Sequence, residues 1–241
     1  MNSLLHWLAM PLSGASVHAI EPETFWHARL MVLAWGILLP LGALMARYFK
    51  VLPSQNWPAV LDNKWWWHGH LALQWSGMAL ASVGVYLLFN HAQHSPLALF
   101  HSTAGWVLML LAWMQIMGGL LRGSKGGPTA EKLRGDHYDM TPHRARFERV
   151  HKLVGWACVL GAVAVLLTGL LLADAPRWMP LVLGLWWLGL LGLAWRWQTQ
   201  GRCIDTYQAI WGPDPRHPGN HMPPIGWGIR RPTPSQNHGQ S

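Results

Sequence analysis

Four histidines, His27, His70, His101 and His151, each stand in the first turns of an apolar stretch long enough to cross a bilayer. A neutral imidazole is a ligand for iron, copper or zinc, and an ionisable group inside a membrane is costly enough to be read first as functional. Consecutive membrane segments run in opposite directions. The first and third therefore carry His27 and His101 to one face, and the second and fourth carry His70 and His151 to the other. Two facing pairs, one per leaflet, are the ligand set that two stacked haems require. With both axial positions of each iron filled, no place remains for oxygen or substrate on the metal, which suits such a centre to outer-sphere electron transfer.

A single histidine near a helix end is usually interfacial or hydrogen-bonded, but four at matching depth on four successive spans are hard to explain that way. Helical spacing indicates what they face. His70, Gln74, Gly77, Ala81 and Gly84 recur at offsets of 0, 4, 7, 11 and 14 and form one small, polar stripe of a helix. His68 lies about 200° around the same helix from His70, on a face with Trp75 and Tyr86, so His70 is the preferred ligand. Spans three and four share an H-x-x-x-G pattern, His101 with Gly105 and His151 with Gly155. A glycine one turn along from a ligand lets a flat macrocycle approach the backbone. Gly119 and Gly169 follow at the same angular positions, about 27 Å further through the membrane, near the level of the opposite haem. Taken alone, these glycines would fit ordinary small-residue helix packing. His6, His18, His91, His94, His137, His143, His217, His221 and His238 fall in loops or tails and are expected at the surface.

The elements that must position these groups are membrane helices. Half of the 241 residues (51%) are hydrophobic and 12% are charged, against about a quarter charged in an ordinary soluble domain. Eighteen Trp suit a chain with two membrane interfaces. Five spans can be drawn, over residues 26–48, 65–89, 99–121, 150–173 and 179–197, each near the roughly 20 residues that a crossing helix needs. The fold class expected is an all-α integral membrane bundle of five transmembrane helices with a four-helix haem-binding core. Residues 1–25 precede it as an interfacial segment, the bundle occupies 26–198, and 199–241 form a Pro/Gly-rich tail that runs irregularly over the cytoplasmic surface. Pro40 does not break the first span, since neighbours re-satisfy freed backbone groups in membrane helices.

The net charge of +8 does not indicate nucleic acid, because the basic residues sit between apolar spans rather than on one soluble face. They alternate. The first connection carries Arg47, Lys50 and Lys64, the second has no Lys or Arg, and the third holds Arg122, Lys125, Lys132, Arg134, Arg144, Arg146 and Arg149. Positive charge stays inside, so the N-terminus is expected outside and the C-terminus inside. His27 and His101 then belong to the outer leaflet, His70 and His151 to the inner. A signal-peptide reading of residues 1–19, with a small-residue site at Val17-His18-Ala19, is weakened by the lack of a basic n-region. Cys158 and Cys203 are expected in different compartments and therefore unbridged.

HARLMVLAWGILLPLGALMARYFK resembles the first core helix of the cytochrome b561 domain, in the variety fused to DOMON domains in plants or standing alone in bacteria. HLALQWSG is similar to the second core helix, HSTAGWVLMLLAWMQIMGGLLR to the third and RFERVHKLVGWACVL to the fourth, so the resemblance covers about residues 25–200. It implies two non-covalent haems b ligated by the histidine pairs His27–His101 and His70–His151, and a protein that moves electrons across a membrane. It also selects His70 over His68. With no DOMON domain ahead of the bundle, no external haem partner is expected on the same chain.

The donor and acceptor stay open between ascorbate-like anions, a quinol, a ferric chelate and a protein. A basic inner rim of Arg47, Lys50, Lys64 and Lys152 could attract an anionic donor, although positive-inside topology requires such charges anyway. The location implied is a bacterial cytoplasmic membrane, with a homodimer left open. The alternative to a self-sufficient reductase is an anchoring or electron-relay subunit of a larger respiratory complex. A histidine-relay transporter is disfavoured, since no internal repeat is visible.

Overall fold

The structure is a computed structural model that describes residues 2–14, 20–89, 95–127 and 134–232. The cleavage-like site at Val17-His18-Ala19, together with His91, His94, Lys132 and His238, lies outside the described residues. Among the described residues the chain is helical, without a β-strand and with two isolated bridges. Short α1 (Asn2–Ala9) precedes the long helices α2 (Pro22–Tyr48), α3 (Trp65–Leu87) and α4 (Pro96–Leu120). One turn, α5 (Asp136–Asp139), leads into α6 (Pro142–Leu172) and α7 (Trp178–Thr199), and α8 (Thr206–Trp211) with a 3₁₀ turn at Pro218–His221 follows.

Four of these helices, α2, α4, α6 and α7, are long and apolar enough to cross a membrane. The 23-residue α3 has the length, but its Trp-Trp-Trp-His-Gly-His start, Gln74 and Ser82 dilute its apolar character. Side-chain distribution is inverted relative to a water-soluble bundle. Ala34, Ala81 and Ala162 are fully or almost fully buried, while Leu110, Leu153, Leu160, Leu185, Leu188 and Leu191 are exposed. Small residues inside and large aliphatics outside are what packing in lipid selects, because lipid tails are as apolar as leucine and only close backbone approach is gained at the interface.

The chain divides into two compact units. One comprises Met1–Leu41, Leu73–Trp113 and Ala157–Leu193, and the other Gly42–Ala72, Met114–Trp156 and Ala194–Ser241. In the first, the segment after α1 is pinned to the α6–α7 turn, where Ser13 Oγ donates to Asp174 at 2.6 Å and Leu12 N to Ala175 O at 3.1 Å. In the second, residues 199–232 are more regular than the Pro/Gly-rich composition suggests. Cys203, Tyr207 and Ala209 are 1% exposed, and Tyr207 Oη donates to Tyr138 O at 2.7 Å. The two cysteines are free and buried.

Helix α6 starts eight residues before the apolar span. Thr141 precedes it and accepts from Arg144 N at 3.2 Å, with Pro142 in the first turn, a normal helix opening. The polar turns from Arg144 to Arg149 are helical although they do not read as membrane sequence.

Within α2, residues Val32–Leu38 form a π-helical turn. Pro40 explains it. Its ring nitrogen has no hydrogen to give to Gly36 O, and its ring would clash with that carbonyl in a regular helix. Widening the turn relieves the clash, and Gly36 O accepts from Trp186 Nε1 at 3.0 Å and Trp187 Nε1 at 3.3 Å. Because either indole still satisfies the carbonyl, Trp186→Phe or Trp187→Phe alone should cost less than about 1 kcal/mol. The double variant should cost about 1–3 kcal/mol by unfolding in detergent, more than the two singles together, because an unpaired buried acceptor carries the full desolvation penalty. Additive losses would contradict the shared role.

Candidate functional site

The first unit holds His27 and His101 with ring centroids 6.2 Å apart and planes at 71°. His27 Nδ1 lies 2.8 Å from Gly84 O, and His101 Nδ1 lies 3.1 Å from Val165 O and 3.2 Å from Thr168 Oγ1. A carbonyl oxygen only accepts, so Nδ1 carries the proton in both rings and the lone pair falls on Nε2. This is the arrangement in which a histidine is oriented to bind a metal. Gly84 belongs to the last turn of α3, where carbonyls lack an intrahelical partner. Gly169 lets the His101 ring in, since a Cβ there would stand 2.9 Å from its Cε1.

The second unit repeats the pattern. His70 and His151 have centroids 6.4 Å apart and planes at 78°. His70 Nδ1 donates to Gly42 O at 2.9 Å, whereas His151 Nδ1 is buried without a hydrogen-bond partner and its ring lies 5.1 Å from that of Phe147. His68 is exposed.

These separations fit one iron between each pair. An imidazole nitrogen binds a first-row metal at about 2.0–2.1 Å, and adding roughly an ångström from nitrogen to ring centre on each side gives roughly 6 Å between centroids. A bare metal ion fits less well, since protein-only sites use three or four ligands and no group of three or more His, Cys, Asp or Glu occurs among the described residues. A cleft of about 810 Å³ of empty space opens beside His27 and His101, bordered by Trp35, Gly105, Met109 and Ala162. A Cβ built on Gly105, Gly119 or Gly155 meets no protein atom within 4 Å, so each faces open space. Gly105 and Gly169 lie in the unit of His27 and His101, and Gly119 and Gly155 in that of His70 and His151. Gln74 is spent elsewhere, its Nε2 donating to Leu39 O at 3.1 Å.

The four basic residues expected to form an inner rim are not an open cluster. Arg47 donates to Gln198 Oε1 at 3.0 Å and Trp227 O at 3.1 Å, and Lys152 to Glu148 Oε2 at 2.9 Å and Ile225 O at 2.8 Å. Lys50 is buried, donates to Ile204 O at 3.1 Å, and burial followed by Lys152 pushes its ammonium down to about 8. Lys64 is exposed and paired with Asp62 at 2.7 Å.

The surface expectation for His137 is overturned. It is 3% exposed, its ring 5.7 Å from Tyr207 and 6.1 Å from Trp211, because the C-terminal segment folds over it. His143 is exposed as expected but lies in α6 rather than a loop. Thr168 and the carbonyls of Gly42, Gly84 and Val165, which aim the histidines, were not legible beforehand. A carbonyl acceptor carries no side-chain signature.

Chains similar to this one include cytochrome b561 and DOMON domain-containing proteins and a ferric-chelate reductase. A cytochrome b561, DM13 and DOMON domain-containing protein of Arabidopsis thaliana is 30% identical over 151 residues, 63% of this chain and 15% of the relative. A second Arabidopsis thaliana cytochrome b561 and DOMON domain-containing protein is 26% identical over 157 residues, 63% of this chain and 33% of its own length. Ferric-chelate reductase 1 of Bos taurus is 27% identical over 115 residues, 47% of this chain and 19% of that protein. The chain thus spans a third or less of the length of these relatives. No family model and no solved structure matches it.

Burial, then the neighbouring Arg144, pushes the His137 imidazole down to about 3. An unfolded histidine titrates near 6.5. As pH falls below that, the unfolded chain takes up a proton that the folded chain refuses until about pH 3. The contribution to stability is therefore full above about pH 6.5 and declines as pH falls toward 3. Hydrogen exchange of Thr206–Trp211 should accelerate between pH 6.5 and 4 after correction for intrinsic rates, and His137→Phe should remove that part of the slope. An unchanged slope in the variant would contradict the assignment. Over 63% of its length the chain is thus similar to cytochrome b561 domain-containing proteins.

Proposed function

We propose that this multi-pass membrane protein passes electrons across the bilayer through two b-type haems, as a membrane reductase. One haem would be held by His27 and His101 in the outer leaflet and the other by His70 and His151 in the inner, on five crossings with the N-terminus outside and the C-terminus inside. The observation that carries this reading is the pairing itself. Two separate histidine pairs have ring centroids 6.2 and 6.4 Å apart, the span of a single iron with two axial imidazoles.

A bound haem supplies one-electron chemistry. The chain's residues do the rest. His27, His70 and His101 are locked by their Nδ1–H bonds so that Nε2 is the ligating atom, and the apolar walls formed by Trp35, Met109 and Ala162 exclude water from the first centre. With two protein ligands for each haem, substrate would not need to touch the metal, and ligand basicity and burial would set the potentials. Gly105, Gly119 and Gly155 leave room at the backbone for a flat macrocycle. The bovine relative's name, ferric-chelate reductase, makes a ferric chelate a candidate acceptor at the outer face. A bacterial cytoplasmic membrane is the proposed location.

The test is vectorial transfer in liposomes loaded with ferricyanide, with reductant supplied outside. Wild-type protein should reduce the trapped acceptor, and His151→Ala should lose the second centre and lower the transfer rate to that of empty liposomes. Undiminished transfer by His151→Ala would sink the proposal.

A further inference from the structure

One groove lies beside a single member of the histidine pairs. Gln115 and Gly118 of α4 and Phe147 and His151 of α6 line about 480 Å³ of empty space, with Met114 and Val150 at its rim. His70 is not among the residues that line it. Met114 is 59% and Val150 57% exposed on helices apolar enough to cross a membrane, so that side of the mouth faces lipid, while His143 and Arg146 line the end at the polar first turns of α6. Two polar atoms of the lining residues are buried with no hydrogen-bond partner, Gln115 Oε1 and His151 Nδ1. In a membrane such atoms are costly to leave unmatched. Their roles are complementary. An amide oxygen only accepts, and once His151 gives its other nitrogen to a metal, Nδ1–H only donates. A ring hydroxyl answers both, donating to Gln115 and accepting from His151, and the edge of the Phe147 ring lines the groove beside Gly118.

A second observation bears on the approach from water. Of the four cations expected from sequence to receive a soluble anion, Arg47, Lys50 and Lys152 donate to Trp227 O, Ile204 O and Ile225 O of the chain's own C-terminal segment, and Lys64 donates to Asp62. The geometry points to a lipid-soluble quinol, bound head-first between α4 and α6, as the electron donor to the His70–His151 centre. This rests on the haem reading above. Oxidation of one quinol to quinone releases two electrons and two protons. Two ferric haems, held by the two histidine pairs, would take up one electron each, and the protons would pass to water.

The test is equilibrium binding of decyl-ubiquinol to the full chain in nanodiscs, with the protein reduced and kept anaerobic so that the quinol is not consumed, and with haem content measured on the same samples. Wild-type protein should bind saturably. Gln115→Leu, which removes one buried hydrogen bond, should weaken binding about tenfold, and Val150→Trp, which fills the groove mouth, should abolish it, both with haem content unchanged. Unsaturable binding, or equal affinity in all three proteins, would overturn the groove while two haems per chain would leave the haem reading standing. Binding that depends on Gln115 in a haem-free protein would support the groove and remove the haem reading instead.

Discussion

The bond from a histidine Nδ1–H to a backbone carbonyl is the contact on which the rest of this structure depends. His27 makes it to Gly84, His70 to Gly42 and His101 to Val165. Each bond fixes a tautomer, a ring plane and the direction of Nε2 in one step. It also requires a carbonyl on a neighbouring helix to come within hydrogen-bonding reach, and that sets how closely the helices pack. Gly84 and Gly42 supply the carbonyl with no side chain in the way, and a Cβ at Gly84 would stand 3.1 Å from Met31 Cε. The stripe from His70 to Gly84 is therefore a packing surface and a ligand-positioning surface at once.

The same logic governs the π-helical turn of α2. A proline placed one turn after Gly36 costs a backbone bond inside an apolar bundle, and the two indoles of Trp186 and Trp187 replace it. The turn lies in the helix that carries His27, and Trp35 within it borders the cleft beside His27 and His101. π-Turns recur at functional sites because they re-aim side chains without breaking the helix. Here the widened turn and the cleft share a residue.

Much of this was legible in the residues. The four histidines, the preference for His70 over His68 and the small stripe along α3 follow from spacing, because helical periodicity is stiff and membrane packing favours small residues. The order of the long helices was readable from apolar runs, but the start of α6 was not, since its first turns are charged and only Thr141 and Pro142 mark the opening. The C-terminal segment was the poorest guide. Its Pro and Gly suggested an irregular strand of chain, yet Tyr207, Ala209 and Cys203 pack as a small core that buries His137 and engages Lys50. Such long-range packing, like the carbonyls that aim the histidines, depends on which segments meet in space. No local pattern encodes it.

The central claim is that each histidine pair holds one haem. Its most direct measurement is the haem content of detergent-purified protein of known concentration, by reduced pyridine-haemochrome absorbance. The account predicts two b-type haems per chain. One haem would mean that a pair does not ligate iron, and none would contradict the account.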